Sequence, residues 1–407
     1  ERLAGWLAER GLTLLDSGDG NCLVRGTQQQ ILRLQKEQPE LLIQPNYTYR
    51  LDTSAALHRI DRIGPDPFSD QQWGLELIRL EQGWELLRGR EVHEVVVAVV
   101  DSGIDLDHPD LSAQVLRDKG YNALSKGSPP EDDNGHGTHV AGVIAATVGN
   151  GEGVRGVAGF PFVKVLPIKV MDETGSGSTY DIAKGIDYAV EQQVDVINLS
   201  VGGPEEDPFI REAVKRAVRK GIPVVAAAGN DGGSARYSTP ANVKEAITVG
   251  AVQRDRKRLP ESNYGPEVDL VAPGEQVLST YWRKVTDYAY MTGTSAATPF
   301  VSGVVALMKA VNPDLTVEAI EKYLTRNTEP LGTIDGTGRN DQYGYGLLRS
   351  DKVLQKVLEH VDTGVPTYPD PLEPGSPDSP PADDARDVPV FPDVPATHWA
   401  SVSIAHV

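Results

Sequence analysis

The stretch MTGTSAATP (residues 291–299) leads into the apolar run FVSGVVALMKAV (residues 300–311). Small residues and a proline ahead of an apolar run are typical of a helix N-terminus, and Pro299 suits the first turn because the N–H that it lacks would have no partner there. Ser295 then has two interpretations. It is a helix-starting residue, as serine often is, or it is a nucleophile beside backbone N–H groups that can stabilise an oxyanion. A serine nucleophile also needs a base, and an acid that orients the base.

Apolar segments of strand length alternate with helical segments between residues 66 and 358. The strand-like segments are VVVAVVD (95–101), VKVLPIKV (163–170), VDVINLSV (194–201), IPVVAAAG (222–229) and AITVGAV (246–252). Apolar strands separated by helices predict an α/β domain with a parallel sheet that helices cover on both faces. Sites in such sheets lie at the carboxyl ends of the strands, and Asp101 and Asn230 stand at two of these ends.

The composition limits the classes of function. A chain of 407 residues, 39% of them apolar, suggests two or three domains with a sizeable core. The net charge of −19 argues against nucleic acid or an anionic membrane as a partner. Apolar runs are too short to predict a transmembrane segment. Cys22 is the only cysteine, which excludes an internal disulfide framework and a thiolate metal cluster.

The partners that Ser295 needs are present in three short motifs. Asp101 begins DSGID, His136 begins HGTHVAG, and Asn230 ends AAAGN. Acyl transfer uses these types: serine attacks, histidine takes and returns the proton, aspartate orients the histidine, and an amide can bind the oxyanion. His136 and His139 could also form a zinc pair, but the glutamate of an HExxH motif is missing. Asp105 and Asp107 follow the strand end, and both are expected to face solvent.

These motifs, in the order Asp, His, Ser, resemble the subtilisin-type serine proteases (subtilases), for which that order is typical. The resemblance covers residues 66–358 and implies a subtilisin-like catalytic domain. It implies that Asp101 orients, that His136 is the general acid and base, and that Ser295 is the nucleophile. Asn230 would form the oxyanion hole with the backbone N–H of Ser295. The implied activity is that of a secreted serine endopeptidase that acts on peptides or proteins through an acyl-enzyme.

Two other functions remain open. A non-catalytic surface protein could keep this fold for binding, although binding alone does not require a triad and an oxyanion residue together. A related hydrolase could act on esters.

The resemblance also assigns substrate-binding segments. ETGSGS (173–178) resembles an edge strand and SVGG (200–203) resembles the segment facing it, so that a peptide would pair between them as an added strand. The residues implied are Gly175, Ser176, Gly177, Ser200, Val201 and Gly202. Asp231 either lies at the pocket rim, where it would favour a cationic side chain, or is a solvated loop charge.

A structural calcium ion is a further implication. The side chains of Asp66, Asp110 and Asn150, with the carbonyls of Thr147, Glu152 and Val154, match positions that hold calcium in thermitase-like members. Such an all-oxygen shell suits Ca²⁺. A plain glycine-rich turn is the alternative. The sequence departs from the family directly after the nucleophile, where methionine is frequent and this chain has Ala296.

The first 65 residues resemble a subtilase propeptide and its processing region. Residues 1–53 are interpreted as a small α+β domain, a foldase and inhibitor, with element order αββαβ and a missing first strand. LLIQPNYTYRL (41–51) is its closing strand, whose end would lie in the active-site cleft as a product-like inhibitor. Residues 54–65 form a processing linker, and cleavage is expected between Leu51 and Pro65.

The last 49 residues are interpreted as a linker and the start of another domain. Residues 359–390 are rich in proline and aspartate, which predicts an extended, solvated linker. FPDVPATHWA (391–400), within the segment 391–407, resembles the opening of an S-layer homology domain, a type that binds bacterial cell-wall polymers. This resemblance predicts an extracellular protein anchored to the cell envelope, and the alternative is a disordered tail with a chance match.

Overall fold

The computed structural model describes residues 2–18, 21–51, 54–56, 66–203, 206–284, 286–364 and 402–406. The chain forms two compact units, residues 1–46 with 368–407 and residues 47–367. The FPDVPATHWA motif and most of the predicted linker lie outside the described residues. The domain boundaries inferred from the sequence stay predictions.

The described residues contain ten α-helices and sixteen β-strands. The helices are Arg2–Ala8 (α1), Gln28–Glu37 (α2), Trp73–Leu77 (α3), Leu80–Leu87 (α4), His136–Ala145 (α5), Thr179–Glu191 (α6), Pro208–Arg219 (α7), Thr294–Val311 (α8), Val317–Arg326 (α9) and Ser350–Thr363 (α10). The strands are Thr13–Gly18 (β1), Asn21–Arg25 (β2), Leu41–Pro45 (β3), Thr48–Arg50 (β4), Ser54–Ala56 (β5), Val95–Asp101 (β6), Tyr121–Asn122 (β7), Val163–Lys169 (β8), Ser176–Ser178 (β9), Val196–Leu199 (β10), Val224–Ala227 (β11), Ile247–Val252 (β12), Leu270–Pro273 (β13), Val277–Thr280 (β14), Tyr288–Thr292 (β15) and Val402–His406 (β16).

The smaller unit packs α1 and α2 with a four-stranded antiparallel sheet of order β1-β2-β16-β3. Thr27 and Gln30 form a capping box at the start of α2, the pattern of a threonine followed three residues later by glutamine. The αββαβ order is confirmed for residues 2–45. The position between β2 and β3 is taken by β16, a strand from the other end of the chain.

The closing strand expected at residues 41–51 is wrong as a single element. It divides into β3, which pairs in the smaller unit, and β4, which pairs with β9 in the larger unit. Pairing partners decide this division, and hydropathy alone does not reveal it.

The larger unit is built on a seven-stranded parallel sheet of order β13-β12-β11-β10-β6-β8-β7. The apolar runs that predicted these strands are almost wholly buried, because helices cover both faces of a parallel sheet. Alternate β6 residues such as Ala98 and Val100 share a core cluster with α6 and α7, whereas α8 packs along β10 to β13. The predicted α/β organisation is confirmed.

Helix α8 is the core helix of this unit. In the described parts of the chain it is the one helix that is long and apolar enough to span a membrane, with a mean hydropathy of 1.3. It is 100% buried inside the protein. It begins at Thr294, so Pro299 lies in the helix interior and the expected first-turn position is wrong. A proline cannot donate to the carbonyl four residues earlier, and that carbonyl, of Ser295, accepts a hydrogen bond from Ser200 Oγ at 3.0 Å instead.

Two short antiparallel sheets complete the unit. One pairs β4 with β9, and the other has the order β14-β15-β5. Strand β15 ends at Thr292, directly before the helix that carries Ser295. Helix α10 continues to Thr363, beyond the predicted end of the domain at residue 358.

Candidate active site

Asp101 and His136 meet where the last residue of β6 faces the first residue of α5. Asp101 Oδ1 lies 2.7 Å from Nδ1 of His136, and both side chains are buried. The helix start can approach the strand end because residue 137 is glycine: a Cβ there would lie 2.1 Å from the carbonyl oxygen of Gly103. The contact fixes which ring nitrogen faces the carboxylate and leaves Nε2 on the other side.

Ser102 and Asp132 hold this pair in position, and the sequence analysis missed both. The N–H of Ser102 donates to Asp101 Oδ1 at 2.7 Å, and its hydroxyl donates to Asp132 Oδ1 at 2.9 Å. Asp132 Oδ2 accepts the N–H and the hydroxyl of Thr138. Ser102 Oγ also accepts the N–H of Gly137 at 2.9 Å, so one hydroxyl links the strand end to the helix start. An aspartate shortly before a helix start is the signal that could have identified Asp132.

Ser295 stands in the first turn of α8 and is almost fully buried. Its Oγ donates to the carbonyl oxygen of Ser200 at 3.1 Å. Nε2 of His136 is buried and has no hydrogen-bond partner among the described residues. In this arrangement the Ser295 hydroxyl is therefore directed to the segment 200–203 and not to His136.

Asn230 follows β11 and contacts the start of α8. Its Oδ1 accepts the N–H of Thr294 at 2.8 Å and the Thr294 hydroxyl at 3.0 Å. These contacts place the amide group beside Gly293 and direct its oxygen toward the helix. Asn263 shapes the same loop, since its Oδ1 accepts the N–H of Asp231 at 3.0 Å. The Asp231 side chain is exposed.

The two predicted substrate segments lie on either side of an extended stretch of this chain. Strand β4 pairs antiparallel with β9, and the N–H of Leu51 donates to Gly175 O at 2.8 Å. On the other side Arg50 forms a β-bridge with Gly202. Ser200 and Val201, which precede Gly202, are buried. A peptide strand bound between these segments is the arrangement that the resemblance predicts.

Residues 93–346 match the family model described as the Subtilase family. The chain belongs to the subtilase family. Asp101, His136, Asn230 and Ser295 all lie within the matched residues. A subtilase of this type is a serine endopeptidase, and the expected subtilisin-like fold is confirmed.

Named subtilases are similar over most of the larger unit. An intracellular serine protease of Paenibacillus polymyxa is 45% identical over 65% of this chain and 83% of its own length. Thermitase of Thermoactinomyces vulgaris is 40% identical over 68% of this chain and 97% of its own. The minor extracellular protease Epr of Bacillus subtilis is 34% identical, over 79% of this chain and 48% of its own. Intracellular and extracellular subtilases are thus both among the relatives.

A solved protease structure has the same fold. A protease from Pseudoalteromonas arctica matches with a TM-score of 0.64 and 32% identity, covering 72% of this chain and 99% of its own. The similarity supports the assignment of the larger unit to the subtilisin-like fold.

His139 is a structural residue of α5. Its Nε2 contacts the carbonyl oxygen of Val277 at 2.8 Å, and the ring is fully buried. Burial lowers the pKa of His139 to about 3, so the ring is neutral near pH 7. Within the described ranges no group of three or more His, Cys, Asp or Glu side chains is placed to hold a metal ion.

The expectation that Asp105 faces solvent is wrong, whereas Asp107 is exposed. Asp105 is 2% exposed and pairs with Arg283 Nε at 3.0 Å. The contact joins residues separated by 178 positions, and for that reason no local pattern predicts it.

The predicted calcium residues converge on the loop 147–154. Asp110 is buried, and its carboxylate accepts Asn150 Nδ2 at 2.9 Å and the N–H of Val154 at 2.8 Å. Both oxygens of Asp66 accept the N–H of Gly149. Burial, with smaller contributions from the charges of Asp66 and Glu152, raises the pKa of Asp110 to about 6.

This donor set fits a hard cation. The carboxylates of Asp66 and Asp110 repel each other, and a cation would relieve that repulsion. Asn150 turns its Nδ2 toward Asp110 here, while its Oδ1 accepts the N–H of Glu152 at 2.8 Å. Thr147, whose carbonyl is one predicted ligand, is tied to the same place because its N–H donates to Asp110 O at 2.8 Å.

Proposed function

We propose that this subtilase is a self-processing zymogen of a secreted serine endopeptidase with Asp101, His136 and Ser295 as its triad. The buried 2.7 Å contact between Asp101 and His136 carries the proposal. Asp101 holds the imidazole at Nδ1, so that Nε2 can take the proton when the Ser295 hydroxyl turns away from the carbonyl oxygen of Ser200. Asp101 then stabilises the imidazolium that forms. His136 then returns the proton to the leaving amine.

Asn230 and the helix start supply the oxyanion hole. The oxyanion of the tetrahedral intermediate would be bound by the Asn230 amide and by the backbone N–H of Ser295, which lies in the first turn of α8 and has no intrahelical partner. The contact of Asn230 Oδ1 with the Thr294 N–H at 2.8 Å supports this role, since it fixes the orientation of the amide group at the start of α8. The substrate is a peptide or protein strand bound between residues 175–177 and residues 200–202.

Residues 1–53 act as an intramolecular inhibitor in this proposal. The described residues on both sides of the expected cleavage bond pair with elements of the larger unit: β4 pairs with β9, and β5 pairs with β15 through Ser54 opposite Thr292. Because β15 leads directly to Ser295, the bond presented to the nucleophile would lie between Leu51 and Ser54. This range is narrower than the interval from Leu51 to Pro65 expected from the sequence.

Calcium is a proposed structural ion held by Asp66, Asp110 and Asn150, with carbonyls from Thr147, Glu152 and Val154. Attachment to the bacterial cell envelope through a cell-wall polymer is proposed from residues 391–407, and secretion from the similarity to extracellular relatives such as the Epr protease.

The intact mass of the freshly folded chain tests the self-processing proposal. In the presence of calcium, the wild type should split between Leu51 and Ser54, and Ser295→Ala should stay whole. Ser302→Ala is the matched control, because Ser302 is another buried serine of the same helix whose hydroxyl contacts Asn198. Cleavage of Ser295→Ala at the same bond would refute the assignment of the nucleophile.

The alternative functions are separated by an active-site probe and by matched substrates. A non-catalytic binding protein would fail to react with a fluorophosphonate serine probe. An ester hydrolase would turn over an activated ester and leave the matched amide intact, whereas the proposed endopeptidase hydrolyses both.

A further inference from the structure

Tyr49 fills a pocket beside the cleft and is fully buried. Its backbone pairs with Gly177, while its ring belongs to the core cluster that includes Met171, Val201 and Ile210. Its hydroxyl donates to Oδ2 of Asp207 at 2.9 Å. The pocket is thus apolar along the ring and ends in a carboxylate at the position of the hydroxyl.

Asp207 is held rigidly and is 0% exposed. Its Oδ1 accepts the N–H groups of Phe209 and Ile210, which caps α7. Its Oδ2 also accepts the hydroxyl of Thr179 at 2.6 Å. Because these contacts orient the carboxylate before any ligand binds, it can distinguish a phenol from a plain phenyl ring.

Gly203 makes room for the aromatic ring. A Cβ at residue 203 would lie 2.1 Å from Cε1 of Tyr49. The backbone of Gly203 is fixed by its N–H, which donates to Thr239 O at 3.0 Å. Any side chain at this position therefore reduces the space for the ring.

The pocket lies on the N-terminal side of the bond to be cut. A Cβ placed on Gly175 would lie 3.3 Å from Leu51 Cβ and 3.5 Å from Asn134 Nδ2. Asn134 accepts the N–H of His136, so the chain approaches the triad as it runs from Tyr49 to Leu51. With the bond between Leu51 and Ser54, Tyr49 stands three to five residues before the cut.

We infer that this pocket is a substrate subsite selective for tyrosine, in which Asp207 reads the hydroxyl and Gly203 admits the ring. The inference rests on the proposed function and names a substrate class for it: protein segments with tyrosine at a fixed position three to five residues before the cleaved bond. A cationic side chain is less suited, because two N–H groups and a hydroxyl already donate to the Asp207 carboxylate and the surrounding walls are apolar.

The test compares peptides that contain residues 46–56 of this chain with Tyr, Phe, Lys or Ala at position 49. The enzyme is the full chain after it has processed itself. The wild type should cleave the Tyr peptide with a kcat/KM about tenfold or more above that of the Phe peptide, since a hydrogen bond to a charged group is lost. Equal values for Tyr and Phe, or a preference for Lys, would overturn the inference without requiring any variant.

Two variants locate the selectivity. Asp207→Ser keeps a helix-capping hydroxyl but is too short to reach the phenol, so the Tyr to Phe ratio should fall to within about threefold. Gly203→Ala should lower kcat/KM for Tyr and Phe alike toward the value for Ala. Thr316→Ala, which removes the cap of α9, controls for a lost cap and should keep the wild-type ratio.

An activated ester without a peptide extension shows whether only the tyrosine subsite is wrong or the proposed function is wrong as well. Ester hydrolysis with equal Tyr and Phe values means that the proposed function stands and the tyrosine subsite is wrong. No hydrolysis of the ester or of any peptide overturns both.

Discussion

At the scale of single residues, the site depends on groups that other side chains hold in position. Asn230 is directed by Thr294, and His136 is directed by Asp101, which Ser102 holds in turn. Such contacts fix donors and acceptors before a substrate binds. Preorganisation of this kind is the main source of electrostatic stabilisation of a transition state.

Replacing Asn230 by alanine should lower kcat by about 10²–10³, since one oxyanion donor is lost. The KM for a matched peptide should change little, because the donor acts on charge that develops only in the transition state. Steady-state kinetics on a peptide amide check this. A variant that changes only KM would place Asn230 in ground-state binding.

Most activity should survive mild peroxide, because no thioether lies next to the nucleophile. Ala296 occupies that position, and the three methionines, Met171, Met291 and Met308, are at most 1% exposed. The measurement is residual amidase activity against peroxide dose. Ala296→Met is the comparison variant and should become sensitive through oxidation of its sulfur; rapid loss of wild-type activity at low dose would contradict the expectation.

At the scale of elements, the site is assembled from the ends of β6, α5, β11 and α8. Parallel strands bring their carboxyl ends to one edge, and helix starts facing that edge supply unpaired N–H groups. The loop 147–154 follows α5, the helix that carries His136. A calcium ion that orders this loop would therefore also stabilise α5.

Chelation of calcium should lower the Tm by several degrees. Calcium at about one hundred times its Kd adds about 2.7 kcal/mol to the free energy of unfolding. Each kcal/mol shifts the Tm by about 2 °C in a domain of this size. Melting of Ser295→Ala with calcium or with a chelator measures this without autolysis. Asp110→Asn should abolish the calcium response and the exposed Asp107→Asn should keep it; an equal Tm in both media would count against the site.

At the scale of the whole molecule, burial of ionisable groups makes the stability depend on pH. The folded state lowers the pKa of His139 from 6.5 to about 3. Between these values the unfolded chain binds a proton that the folded chain does not bind. The contribution of His139 is therefore fully present above pH 6.5 and is lost as the pH falls toward 3.

His139→Gln should reduce this acid sensitivity. Glutamine can still donate to Val277 O and does not titrate. The wild-type protein's free energy of unfolding should therefore exceed that of the variant by about 3 kcal/mol less at pH 4 than at pH 7. Urea unfolding in the Ser295→Ala background measures it. A difference in the free energy of unfolding that stays constant from pH 7 to pH 4 would contradict the assignment.

The sequence by itself determined the parallel sheet and the candidate triad residues. A strand buried on both faces must be apolar throughout, and DSGID, HGTHVAG and GTSAATP are local segments whose small residues permit tight turns at helix and strand ends. These signals are carried by neighbouring residues, so they can be read without knowing the fold. The cap at Thr27 is predictable for the same reason.

Only the tertiary structure decided which distant groups meet. The hydrogen bond between Tyr49 and Asp207 joins residues 158 positions apart, and the pairing of Asp105 with Arg283 spans 178. The position of Pro299 inside α8 also depends on a distant residue, because Ser200 satisfies the carbonyl that the proline leaves without a donor. Such contacts leave no periodic pattern along the chain, since their energy comes from burial and hydrogen bonding that exist only after the chain has folded.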